Sequence, residues 1–276
     1  MEASCELVLR ASVPKLARSK SKTKGRPRRV DVGGYRIWMR VSGTGSPTVV
    51  FESGAGDNSS AWSSVEPEVR SRKAVSTVLY DRAGLGRSEP KPGPYRIDDE
   101  VVALRTALSA CAVEGPVVLV AHSYGGFVSL LTAATDPHVV GLVLVDANVP
   151  GFFDEAEVAR LIERFKPQIP EVERLHPVLS RVMVPLTLAM PETARRVRST
   201  TLPPSLPVID IVAEHTWVES PEEIAAMRRA HASFVAASPS REAVFAADCG
   251  HFVMKDRPSL VVDAVSRLID RLRKAK

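Results

Sequence analysis

Polarity alternates along residues 30–41 around the pair Gly33-Gly34, a spacing that predicts a half-exposed β-hairpin. Residues 48–52, 75–80, 117–121 and 139–146 differ, being nearly continuous in β-branched and aliphatic side chains. That is the pattern of strands buried on both faces. Between them the apolar period lengthens. Residues 97–112 carry Val101, Leu104, Leu108 and Cys111 at three- and four-residue spacing, which predicts a helix, and 126–135 predicts another. Asn58 or Ser59 is placed to cap a helix running to about Ser71. The rhythm breaks over residues 148–206, which are rich in proline and hold helical pieces such as 155–165 but no strand pattern. It resumes with a strand at 208–213, a helix at 221–237, a strand at 243–247 and a last helix at 259–274.

Strands alternating with helices predict an α/β fold, a mostly parallel sheet with helices on both faces. The interruption reads as a helical lid (148–206) inserted after the sixth strand, and the core is then 30–147 together with 207–276. Such an insertion would stand over the carboxyl ends of the strands, where open α/β sheets bind ligands. No internal repeat is visible.

Charge changes this picture at one end only. Nine of the 37 Lys and Arg residues lie between Arg10 and Arg29, and only Glu2 and Glu6 of the 32 acids precede Asp31. The remainder holds 28 bases against 30 acids, so the basicity belongs to a leader, residues 1–29, and not to the body. A nucleic-acid-binding body is not expected. The leader, with Ser, Lys, Thr, Pro and Gly between its charges, is expected to be solvated and disordered; an anionic-surface arm or a transit peptide are its functional readings. Leu7-Val8-Leu9, interrupted by Arg10, is too short for a secretory core, and no apolar run is long enough to span a membrane. Cys5, Cys111 and Cys249 are too few and scattered for a disulfide framework, so a reducing, cytoplasmic setting is expected.

The chemistry concentrates in Val117-Val118-Leu119-Val120-Ala121-His122-Ser123-Tyr124-Gly125-Gly126. A buried strand running into a serine flanked by small residues predicts a sharp turn that presents the hydroxyl at a helix N-terminus. A serine needs a base within reach, and imidazole has the suitable pKa. His251 follows the last strand and precedes the last helix, with Gly250 beside it to permit an awkward turn. His122 is expected to point away from Ser123, and His138, His176 and His231 to be solvated surface residues. No H-E-x-x-H, zinc-spaced cysteine pair, phosphate loop or dinucleotide fingerprint is present, so no metal or cofactor is expected.

Four segments together resemble the α/β-hydrolase family over residues 30–276: the elbow at 121–125, the loop Ser53-Gly54-Ala55-Gly56, the turn Asp81-Arg82-Ala83-Gly84-Leu85-Gly86-Arg87-Ser88, and Gly250-His251-Phe252. The resemblance implies a serine hydrolase with Ser123 as nucleophile and His251 as base. It implies oxyanion donors at the amides of Tyr124 and Ala55, although Ser53-Gly54 stands where many relatives have His-Gly and so lacks an imidazole that braces the loop. Most relatives place the orienting acid after the strand that follows the lid, which here offers only Glu214. Some lactone-opening relatives place it one strand earlier, at Asp146. Asp146 is the preferred reading and Glu214 the alternative; Asp210 should point into a packed layer, and Asp248 make a loop contact. Trp62, Phe152, Phe153 and Phe165 are candidates to line the substrate pocket or to be plain packing. The expected partner is a small ester or lactone. Acyl transfer, thioester cleavage or carbon–carbon hydrolysis on the same fold, and a non-catalytic receptor, remain alternatives. Epoxide and haloalkane hydrolysis are disfavoured, because such relatives need an aspartate where Ser123 stands. Substrate identity and oligomeric state are not legible.

Overall fold

The computed structural model describes residues 25–274. Most of the basic leader therefore lies outside the described residues. Its last part does not: β1 (Pro27–Asp31) pairs antiparallel with β2 (Arg36–Ser42), so the ordered sheet begins three residues before the expected boundary. Gly33 and Gly34 form the hairpin turn at φ 111° and 94°, where a side chain would be strained, and both amides donate to Asp31 Oδ1.

Five further strands are those expected: β3 (Thr48–Glu52), β4 (Ser76–Tyr80), β5 (Val117–His122), β6 (Val139–Val145) and β7 (Val208–His215). The last, β8 (Arg241–Gly250), is twice the predicted length; it is a half-exposed edge strand whose polar positions hide it from an apolar pattern. The order is β1-β2-β4-β3-β5-β6-β7-β8, parallel from β4 onward. The chain has the α/β-hydrolase fold.

Two-residue periodicity sorts the strand side chains into two cores. Val49, Phe51, Val118, Val120, Val143 and Val145 face one layer, with α1 (Glu66–Lys73) and the C-terminal helix α10 (Pro258–Lys274) against them. Val50, Leu119, Ala121, Leu142 and Leu144 face the other, covered by α2 (Ile97–Ala110), α3 (Gly125–Thr135) and α8 (Pro221–Ala236). The helix expected from Asn58 to Ser71 is broken in two: a 3-10 turn (Ser59–Trp62), then α1, whose second residue Pro67 lacks the N–H that a continuous helix would need.

Between β6 and β7 come α4 (Glu155–Phe165), α5 (Ile169–Leu175), α6 (Pro177–Leu188) and α7 (Met190–Arg198); α9 (Val253–Asp256) is a single turn after β8. No described helix is long and apolar enough to cross a membrane.

Helix α3 sits so tightly on the end of β3 that a Cβ at Gly125 would lie 2.6 Å from Glu52 Cγ and 2.7 Å from the Ser53 carbonyl oxygen. Gly125→Ala should therefore cost about 1–3 kcal/mol, the usual penalty of overpacking. Gly115, with nothing within 4 Å of its added Cβ, supplies the control. Urea midpoints measure the difference; equal midpoints for the two alanine variants would contradict the packing.

Candidate active site

Ser123 stands between the end of β5 and the start of α3 at φ 52°, a left-handed conformation for a residue with a Cβ. Its carbonyl oxygen accepts from Gly126 N (2.9 Å) and from Asn148 N (2.8 Å), tying the turn to the segment after β6. Gly126 is needed there, since a Cβ would approach the Asn148 carbonyl oxygen at 2.7 Å.

Asp146 and His251 meet from two other strand ends. His251 Nδ1 lies 2.6 Å from Asp146 Oδ2, both residues being buried. A carboxylate accepts, so Nδ1 donates and the neutral ring keeps its free lone pair on Nε2. Asp146 is itself fixed: Ala213 N donates to Oδ1 (3.0 Å) and Thr216 Oγ1 to Oδ2 (2.9 Å). Burial alone would raise the Asp146 carboxyl. The hydrogen bond and charge of His251, with the Ala213 and Thr216 donors, outweigh it and hold the group below the ordinary aspartate value. Above that ordinary value the carboxylate contributes its full share of stability, which is lost as the pH falls through the lower folded value. Glu214 is engaged elsewhere, accepting from Asp248 N at 2.8 Å.

The loop after β3 is clamped from below by Arg82. Its Nη1 contacts the Glu52 carboxylate and donates to the Ser53 carbonyl oxygen at 2.5 Å. Its Nη2 donates to the carbonyl oxygens of Gly54 (2.6 Å) and Ala55 (3.0 Å). Arg82 and Glu52 are both buried; desolvation pushes Glu52 up to about 7 in spite of the guanidinium beside it. Trp62 Nε1 adds a bond to Ser53 Oγ at 3.2 Å. A guanidinium and an indole thus brace this loop.

Ser123, Tyr124, Ala55 and His251 line one cavity of about 280 Å³. Its other walls are largely apolar and come from the helical insertion: Leu161 and Phe165 on α4, Leu179, Met183 and Leu186 on α6, and Met190 at the start of α7. Of the aromatic candidates, Phe153 and Phe165 line it, whereas Trp62 and Phe152 do not. Trp62 is wholly buried against Phe51 behind the loop, and Phe152 packs on Phe153 and Trp217; Trp217 and Phe252 are further aromatic residues that do reach the cavity.

Residues 49–264 match the model of the "Alpha/beta hydrolase family". The chain belongs to the α/β-hydrolase family. Curated relatives match over shorter stretches, among them the following two. The uncharacterized protein YqjL of Bacillus subtilis is 34% identical over 105 residues, which is 38% of this chain and 41% of that one. Lipase LipV of Mycobacterium tuberculosis is 46% identical over 76 residues, 27% of this chain and 28% of that one. Each match thus spans less than half of the relative's length. An esterase from Thermogutta terrifontis superposes with a TM-score of 0.63 at 22% identity, over 90% of this chain and 98% of that one. At that identity the likeness is one of fold.

Three placements add to the sequence expectation. His122 lines the cavity, its ring 4.5 Å from the His251 ring between centroids. His231 is buried, 2.8 Å from Asp210 Oδ2, where α8 crosses β7; Asp210 is packed inside as expected, and its partner is what the sequence hid. Arg82, to which the sequence reading gives no role, reaches from the turn after β4 to the loop after β3. At pH 8, above the raised Glu52 value, Glu52→Gln should remove the carboxylate that contacts the buried Arg82 guanidinium and cost about 3–5 kcal/mol of stability in a denaturant titration. A loss under about 1 kcal/mol would contradict the pairing.

Proposed function

We propose that this α/β hydrolase cleaves a carboxylic ester or lactone through Ser123, His251 and Asp146. The observation that carries the reading is the short His251–Asp146 bond, with His251 and Ser123 lining the same cavity. Asp146 fixes the tautomer that leaves His251 Nε2 basic. Ser123 Oγ adds to the carbonyl carbon while its proton passes to Nε2. The tetrahedral intermediate then expels the alkoxide, which takes that proton. Water repeats the sequence on the acyl-enzyme and releases the acid, or the ring-opened hydroxy acid of a lactone.

The amides of Ala55 and Tyr124 are the proposed oxyanion donors; neither makes a hydrogen bond within the described chain. Arg82 strengthens this role. The carbonyl of Gly54 and the N–H of Ala55 belong to one peptide unit, and Arg82 Nη2 donates to that carbonyl. A cation on the oxygen polarises the unit and makes its N–H a better donor. Asp146 takes the place of Glu214 as the acid because it is the carboxylate bonded to His251.

Intact mass after brief exposure to a fluorophosphonate tests the reading. One adduct is expected on the wild-type chain and none on Ser123→Ala. Turnover of a responsive ester should fall by about 10⁶ in that variant if the three residues act as a unit. A folded wild type that stays unlabelled, or a loss of only about tenfold, would sink the assignment and favour a non-catalytic receptor.

A further inference from the structure

Two hydrogen-bond acceptors face each other across one wall of the cavity without a donor from the chain between them. His122 Nε2 lies 3.0 Å from the backbone carbonyl oxygen of His251. A carbonyl oxygen only accepts, so Nε2 carries the proton and Nδ1 of the neutral ring is a bare lone pair. Burial and the adjacent His251 hold this imidazole well below the ordinary histidine range, which keeps it neutral at pH 7. Nδ1 is fully buried and has no partner among the described residues, an arrangement that costs stability unless something donates to it.

The carboxylate of Asp57 lies opposite, its Oδ2 3.8 Å from His122 Nδ1. That is too far for a hydrogen bond, and with a neutral ring it is no ion pair. Asp57 accepts no side-chain or backbone donor within the described chain, and both residues line the cavity beside Ser123. Gly54 borders the gap without closing it: a Cβ there would stand 2.9 Å from His122 Nδ1 and 3.1 Å from Asp57 Oδ2. The nearby cations do not fill it either. Arg82 is occupied by Glu52 and three carbonyls, and Lys255 lies over the Phe252 ring at 3.9 Å.

Geometry selects the group that fits. A donor atom about 2.9 Å from each acceptor would see them roughly 80° apart, within reach of two N–H bonds on one nitrogen. An alcohol hydroxyl has one proton, so it satisfies one acceptor and turns a lone pair toward the other; a water has two and is the bridging donor that a ligand nitrogen must displace. We propose that Asp57 and His122 form a subsite for a nitrogen bearing at least two protons, a primary ammonium or a carboxamide, and that the preferred ester or lactone carries such a group. The subsite deepens the proposed hydrolase function, and rests on it only in calling the ligand an ester or lactone.

Binding without turnover tests it, in the Ser123→Ala chain at pH 7. Three probes of similar size are titrated by ligand-observed NMR: n-butylammonium, butanamide and 1-butanol. At least one nitrogen probe should bind about tenfold or more tightly than the alcohol, and Asp57→Ala should abolish that margin. Ammonium binding alone identifies a cation; binding of both identifies the paired N–H donors. The ¹⁵N resonance of His122 Nδ1 should move on binding in the chain with Asp57 intact, a readout that does not depend on the variant folding. Equal affinity for the alcohol, a margin that survives Asp57→Ala, an unmoved Nδ1 resonance, or no binding of any probe would overturn the subsite. Failure of the hydrolase reading would show separately, as a wild-type serine that no fluorophosphonate labels.

Discussion

The left-handed backbone at Ser123 is the constraint from which the rest of the site follows. A residue with a Cβ in that region costs about 1–3 kcal/mol and persists only where its surroundings leave it no alternative. Here they leave none. Strand β5 is hydrogen-bonded on both sides, to β3 and β6, so its direction is fixed; the Ser123 carbonyl is held by two amides; and α3 lies so close to the ends of β3 and β6 that only glycine fits at 125 and 126. The turn is forced because a buried strand and a buried helix must meet within two residues. Its consequence is chemical: the serine lines the cavity, and the amide of Tyr124 has no hydrogen-bond partner among the described residues.

The same packing explains how charge enters an otherwise apolar centre. Glu52 lies at the end of β3 and Arg82 just after β4, so the parallel pairing of those strands brings the two side chains together under the loop. An isolated buried guanidinium would be prohibitive; beside a carboxylate and three carbonyl oxygens it becomes a rigid mount. The loop is held by its carbonyl oxygens. His251 and Asp146 are mounted on the same principle, each supported by a neighbour from a different strand end.

Much of this was legible in the sequence, for identifiable reasons. Central strands such as Val117–His122 announce themselves because both faces are buried, and the elbow follows from the small residues beyond it. The edge strand β8 was half hidden because one side of it meets solvent. Asp146 and Glu214 end adjacent strands, and nothing in their spacing states which of the two faces His251; register and loop path decide that. Arg82, Asp57 and His231 lie against residues 27, 65 and 21 positions away in sequence, at Ala55, His122 and Asp210, and no local pattern encodes those meetings. Aromatic residues were equally opaque: Trp62 and Phe153 look alike as large apolar side chains, yet one braces a loop and the other lines the cavity.

The pairing of His251 with Asp146 is the most exposed claim, and steady-state hydrolysis of 4-nitrophenyl butyrate by Asp146→Asn and Glu214→Gln tests it directly. An amide at 146 keeps the shape but supports the wrong tautomer, so kcat should fall by about 10⁴, while Glu214→Gln stays within about threefold of the wild type. Near-normal turnover in Asp146→Asn, or a large loss confined to Glu214→Gln, would contradict it.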